Sequence, residues 1–312
     1  MQVRTMEGLR MKMDNPQILV IGAAILDVLV HPADAEVFRT GSSPADEIRL
    51  SVGADALNEA TILAGLGKKV RLETIIGADR AGNYILNHCR ENGIILPDHC
   101  VREEIPTGVN VVLIDRQGAR HFLTNPRSTL RRLTLGDIAM PFPESVQIVS
   151  FASIFVFPEL GTAELSRIFR QAKAQQKIVC ADMTKRKNGE CTSDVAEALQ
   201  YVDYLFPNDE EAMLLTGKNA VEDAARELKE AGVCHVVVKC GRRGCYALDD
   251  ESEMWIPAEP DVKCVDTTGA GDSFAAGFLF ALSEGRSFQE CAAFGNRCGA
   301  KAVGVVGATD WV

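Results

Sequence analysis

The stretch Asp266-Thr267-Thr268-Gly269-Ala270-Gly271-Asp272-Ser273-Phe274 concentrates the chemistry of this chain. Two glycines and an acid stand where a loop runs into an apolar segment, Phe274 to Ala281. A helix beginning there leaves the backbone N–H groups of Gly269, Ala270 and Gly271 unpaired at the positive end of the helix dipole. Such an end takes an anion, commonly a phosphate, and glycine lets the backbone approach it. Asp272 can take a proton from a hydroxyl lying beside that phosphate. A bound phosphate beside a carboxylate base reads as phosphoryl transfer to a hydroxyl group. For Gly-x-Gly alone, a plain Asp or Thr helix cap is the better account.

Other groups can serve such a reaction. Asp27, in Gly22-Ala23-Ala24-Ile25-Leu26-Asp27, is read as following a first strand. Ligands of open α/β sheets gather at the carboxyl ends of strands, although a solvated loop Asp fits as well. Gly53-Ala54-Asp55-Ala56-Leu57-Asn58 opens a helix with Asp55 and Asn58 on one face. They can grip a polyol, or Asp55 can simply favour the helix start. Asn208 and Glu211 have the same spacing. Their oxygens suit magnesium and its waters, and equally a capping box. Lys239-Cys240-Gly241-Arg242-Arg243-Gly244 is a turn that admits a ligand near its glycines, or a plain hairpin turn. Asp182-Met183-Thr184-Lys185 and Glu159 follow further strand ends, where Lys185 can meet a phosphate and Glu159 a sugar.

Elements must hold these groups. Ile18 to Ala24 reads as a buried parallel strand. Residues 54–66 read as a helix, Val70 to Ile76 as a strand and Arg80 to Asn92 as a helix. Val109 to Ile114 and Arg120 to Leu123 flank the turn Arg116-Gln117-Gly118 and predict a β-hairpin. Strands and helices then alternate to two last helices, 271–283 and 287–301. Alternation argues for a doubly wound α/β sheet.

The chain has 312 residues, 46% apolar and 24% charged, enough for one large core. Its net charge of −10 excludes nucleic acid and anionic membrane as partners. No apolar run spans a bilayer. Residues 1–16 lack the apolar core of a secretion signal and read as a flexible extension before one domain over 17–312. The ten cysteines have no zinc spacing. Cys180, Cys234 and Cys298 sit in apolar segments and read as free buried thiols of a cytoplasmic protein. There is no P-loop, no Gly-x-Gly-x-x-Gly after the first strand, and no triad or metal spacing among the five histidines.

The Asp266–Phe274 run, continued through Gly277 and Phe278, resembles the C-terminal signature of the ribokinase-like (PfkB) carbohydrate kinases. The resemblance extends from about Ile18 to Ala308. It implies a doubly wound, mostly parallel sheet flanked by helices, with a small β-sheet lid from residues 31–50 and 106–125. It implies an ATP- and Mg2+-dependent kinase acting on a hydroxyl of a sugar or polyol. Asp272 would be the general base, and the backbone of Gly269, Ala270 and Gly271 the anion hole. Asp27, Gly53, Asp55 and Asn58 would hold sugar hydroxyls, with Ala54 replacing the second glycine of a Gly-Gly-x-x-x-Asn element. Asn208 and Glu211 match an Asn-x-x-Glu motif that positions magnesium, through water, and the phosphates. Lys239, Gly241 and Gly244 would lie against the nucleotide phosphates, and Asn296 with Gly307-Ala308 at the adenine. Asp266 and Thr268 would join a monovalent-cation loop, taking an ion such as K+. The lid would pair two copies into a homodimer. A nucleoside kinase on the same fold and a non-catalytic sugar or nucleotide sensor are the rival readings. The set Asp27, Asp55 and Asn58 suits neutral hydroxyls, since two carboxylates repel an anion. Lys185 or Arg127 would offset this for an acidic acceptor.

Overall fold

The computed structural model describes residues 15–117 and 119–312. Of the expected extension only Asn15 and Pro16 fall within them, and Gly118 of the expected turn lies outside. The first half contains β1 (Ile18–Ile21), β2 (Ile25–His31), β3 (Glu47–Gly53), α1 (Asp55–Gly65), β4 (Val70–Glu73), β5 (Ile76–Gly77), α2 (Arg80–Glu91), β6 (Val101–Arg102), β7 (Val109–Ile114) and β8 (Arg120–Thr124). Then come β9 (Ile148–Ile154), α3 (Thr162–Ala174), β10 (Ile178–Met183), α4 (Thr192–Leu199), β11 (Tyr204–Leu205), α5 (Asp209–Thr216) and α6 (Val221–Glu230). The chain continues through β12 (His235–Lys239), β13 (Cys245–Leu248), β14 (Glu253–Ile256), α7 (Ala270–Ser283) and α8 (Phe288–Ala302).

Eight strands form the main sheet in the order β14-β13-β12-β11-β10-β9-β1-β4. It is parallel from β4 to β12, and β13 and β14 close one edge antiparallel. Successive side chains of a strand point to opposite faces, and β1 shows the consequence. Leu19 and Ile21 join a core with Phe169 of α3, Leu215 of α5 and Leu228 of α6. Ile18 and Val20 join a second core with Leu57 of α1, Phe274 and Phe278 of α7 and Cys291 of α8. Both faces are therefore covered, as a parallel sheet requires.

A second sheet stands apart in the order β3-β2-β7-β8. Here the sequence reading needs correction. The apolar run from Ile18 does not stay in one strand: it leaves the main sheet after Ile21 and begins β2 at Ile25. Gly22 makes the exit, where a Cβ would lie 2.8 Å from the Cβ of Ala56. Asp27 thus belongs to the small sheet and not to a loop after β1. It pairs in register with Ser51 of β3 and Asn110 of β7. Strands β6 and β14 carry weak apolar alternation and were not expected as strands, and β3 extends the expected β segment 31–50 to Gly53. Cys234 is exposed, contrary to expectation, whereas Cys180 and Cys298 are buried; all ten cysteines are free thiols. No helix among the described residues is long and apolar enough to cross a membrane.

Candidate active site

Helix α7 starts where its sequence requires. Gly269 precedes it in the left-handed region, φ 67°, which glycine adopts without strain. A Cβ there would also strike Ala308. Ser273 to Leu279 and Ala281 are buried, so the apolar run fixes the helix from behind and leaves its first turn at a crevice. Asp272 lies in that turn, half-buried.

Two cavities meet at this turn. The smaller, about 340 Å³, is lined by Asp27, Asp55, Asn58, Asn110, Ser153 and Asp272, among others. The larger, about 740 Å³, is lined by Asn208, Lys239, Gly241, Gly244, Phe274 and Asn296, among others. Gly271 lines both.

The small cavity joins residues from both sheets. Asn58 of α1 donates from Nδ2 to Asp272 Oδ2 at 2.7 Å. Ser153, at the end of β9, donates to Asp55. A Cβ on Gly53 would collide with the carboxylate of Asp27, so glycine is needed for Asp27 to face the cavity. Three buried acceptors have no protein donor: Asp27 Oδ1, Asn58 Oδ1 and Asn110 Oδ1. Buried acceptors left unpaired are costly, so a ligand rich in hydroxyl donors fits here.

Burial sets the protonation of these acids. It pushes Asp27 up from 3.8 to about 6, against the pull of Asn110 and the Arg120 charge. Burial also raises Asp55, although the Ser153 hydrogen bond and Lys239 oppose it. Asp272 is held well above the usual carboxylate range by burial and then by the charge of Asp55, with Asn58 opposing. Ala54, the residue that departs from the Gly-Gly pattern, has φ 75° and ψ 150°. Side chains disfavour that conformation, and it stores strain beside the site.

Of the other expected residues, Asn208, Lys239, Gly241, Gly244 and Asn296 line the larger cavity, and Glu211 lies behind Asn208. Asn208 Oδ1 accepts from the backbone N–H of Glu211, and Glu211 Oε2 accepts from that of Asn208, each at 2.8 Å. The capping box therefore forms. Oε1 of Glu211 takes no part in it, and this hard oxygen fits a magnesium ion reached through water. Lys239 pairs with Asp182, a contact across 57 residues of sequence. Burial pushes Asp182 up to about 7 against the opposing charge of Lys239. Gly241 and Gly244 have φ of 54° and 89° in the turn after β12. Asn296 donates to the carbonyls of Ile256 and Pro257, each at 3.1 Å, and so holds one wall.

Some weaker candidates lie elsewhere. Lys185 forms an exposed pair with Glu210 at 2.6 Å. Glu159 lines a separate cavity with Arg131 and Arg132. Arg243 pairs with Asp209 at 3.1 Å. Asp266 and Thr268 do come together, but as partners of each other. Asp266 Oδ1 accepts from the backbone and hydroxyl of Thr268 at 3.0 and 2.8 Å and from Arg120. Its Oδ2 accepts from Gly307 N at 3.0 Å. A carboxylate so occupied, with a guanidinium against it, does not fit a further cation. Sequence reading missed Ser153, Asn110 and Arg120, which lie far along the chain from the acids they meet.

The profile of the pfkB family carbohydrate kinases matches residues 15–311. The chain belongs to that family. Among curated relatives of this pfkB-family chain, the cytidine kinase of Thermococcus kodakarensis is 28% identical over 89% of the chain and 92% of its own length. The 2-dehydro-3-deoxygluconokinase of Haemophilus influenzae is 28% identical over 81% of the chain and 86% of its own length. Among solved structures, the ribokinase of Thermotoga maritima superposes with a TM-score of 0.77 at 26% identity, covering 95% of this chain and 96% of that one. The pfkB fold thus accounts for both the mostly parallel main sheet and the separate small sheet.

Proposed function

We propose that the chain transfers the γ-phosphoryl group of ATP to a hydroxyl of a neutral sugar or related polyol. The observation that carries this reading is the meeting of the two cavities at Gly271, with Asp272 on the side of the smaller one. The acceptor sits among Asp27, Asp55, Asn58 and Asp272, where its hydroxyls supply the donors that the three unpaired oxygens lack. Asp272 takes the proton of the attacking hydroxyl, and Asn58 fixes its carboxylate. The backbone N–H groups of Gly269, Ala270 and Gly271 receive the equatorial oxygens of the phosphoryl group. Fixed donors there cost no reorganisation as charge moves, and one such donor is worth about 3–4 kcal/mol of barrier.

The nucleotide lies in the larger cavity, its phosphates toward Lys239, Gly241 and Gly244 and its base toward Asn296. Asn208 and Glu211 would hold magnesium through water, and the ion supplies neutralisation of the phosphate charge. The small sheet acts as a lid that keeps water from the phosphoryl group. Ile48, Leu50 and Leu123, on the face of that sheet away from the acceptor cavity, are exposed. Apolar side chains of this kind fit a second copy, and a monomeric mass in sedimentation would count against the homodimer.

No Lys, Arg or His lines the small cavity, and Asp27 and Asp55 repel a phosphate or carboxylate. This favours a neutral acceptor. Phe122 lines the same cavity and offers a ring to stack on a base, which supports a nucleoside as the second reading. The test is ADP release from Mg-ATP with pentoses, hexoses, ketoses, sugar acids, sugar phosphates and nucleosides, with Asp272→Asn as control. Turnover on a neutral sugar that vanishes in the variant supports the reading. Tight ATP binding with no turnover on any acceptor would point to a sensor.

A further inference from the structure

Arg120 begins β8 on the small sheet, yet its guanidinium reaches Asp266, 146 residues away. Asp266 is nearly buried, its side chain 7% exposed, and Arg120 is partly buried at 25%. The carboxylate takes the Thr268 backbone and hydroxyl, Gly307 N and Arg120 together. Although burial alone would raise it, these donors hold Asp266 below the usual carboxylate range. Thr268 directly precedes Gly269, whose left-handed backbone starts α7. Arg120 also acts on Asp27, the acid of the small sheet that faces the acceptor cavity.

A second contact repeats the arrangement. Arg49, on the opposite edge strand β3, pairs with Asp310 at 2.8 Å. Both edges of the small sheet are thus tied by arginine–aspartate pairs to the segments flanking Gly269 and Ala308. The Arg49 pair is more exposed, with side chains 32% and 44% accessible, and adds little by itself. The Arg120 pair is the enclosed one.

We propose that Arg120 is a built-in cation that replaces a monovalent ion at Asp266 and sets the anion-hole loop when the small sheet closes. Arg120 is a positioning residue: it acts through Asp266 and Thr268 on the backbone of Gly269 to Gly271. Because the charge travels with the sheet, the loop is set only in the closed arrangement. The inference rests on the kinase reading for its kinetic consequence, but not for its cation chemistry.

The experiment compares the full chain with Arg120→Met and Arg120→Lys, in KCl and in tetramethylammonium chloride at equal ionic strength. Thermal unfolding is read alongside kcat and KM. The expected result is that the unsubstituted chain unfolds at the same temperature in both salts and turns over equally. Arg120→Met loses kcat by about tenfold or more from loop misplacement, with a smaller change in the KM for ATP. K+, and not tetramethylammonium, raises its unfolding temperature and restores part of kcat. Arg120→Lys keeps the indifference to K+. Stabilisation of the unsubstituted chain by K+ would overturn the proposal, as would an Arg120→Met chain with unchanged kcat. If no acceptor is ever turned over, the kinase reading fails while the unfolding comparison still decides the role of Arg120. If Arg120→Met does not fold, the response of the unsubstituted chain and Arg120→Lys to K+ decides it.

Discussion

Asp27→Asn should make the chain more stable at neutral pH while weakening the acceptor site. Asp27 titrates at about 6 in the fold against an ordinary value of 3.8, because burial penalises its charge. A raised acid favours folding below its unfolded value and loses that advantage as pH rises through the folded one. The roughly 2-unit difference corresponds to about 3 kcal/mol once both forms are ionised, at about 1.4 kcal/mol per unit. Residual solvent contact reduces this to about 2–3 kcal/mol. Asn cannot ionise, so the variant escapes the penalty. Near pH 4 the penalty has barely developed, and near pH 7.5 it is complete. For a chain of this length 1 kcal/mol moves the unfolding temperature by about 1.5–2 °C. The variant's advantage in Tm should therefore grow by about 3–5 °C between about pH 4 and pH 7.5. Scanning calorimetry on both chains measures it. A Tm difference that stays flat with pH, or shrinks as pH rises, would refute the assignment of a charge penalised by burial to Asp27. The same variant should raise the acceptor KM, the usual exchange of stability for function at a site.

Asp272→Asn should lower kcat by about 10²–10⁴-fold and leave ATP binding, measured by calorimetry, nearly unchanged. Because burial and Asp55 raise Asp272, kcat/KM should climb with pH through an ionisation above the ordinary carboxylate range, and that limb should be missing in the variant. Ala54→Gly should relieve the φ of 75° and stabilise the fold by about 1 kcal/mol net of the added chain entropy; denaturant unfolding checks it. Glu59 is fully buried and is raised well above its usual range by burial and by the charges of Asp182 and Asp272. Glu59→Gln, a near copy of its protonated form, should stay within about 0.5 kcal/mol of the parent at neutral pH, and a large loss in the same unfolding assay would mean that Glu59 is charged.

The part of the site legible in the sequence is the part that is local. Asp266 to Phe274 can be read because Gly269, Asp272 and the apolar helix behind them lie in one continuous stretch. The Asn208–Glu211 box is legible for the same reason. Asp182–Lys239, Ser153–Asp55 and Arg120–Asp266 are not, since only the packing of elements far apart in sequence brings each pair together. The main sheet was legible from alternating strands and helices. The strand change between Ile21 and Ile25 was not, because an apolar run looks the same whether it continues in one sheet or crosses into another. Local hydrophobicity reports burial and is silent on which layer supplies it.

Gly271 lines both cavities, and it carries no side chain. A Cβ there would already lie 3.4 Å from Lys239 Nζ. Occupants of the two chambers therefore share contact with one stretch of backbone. Thermodynamic linkage then makes the influence mutual: the factor by which nucleotide changes acceptor affinity equals the factor by which acceptor changes nucleotide affinity. Order of arrival becomes a matter of concentrations, and an inhibitor lodged in either chamber registers in the other.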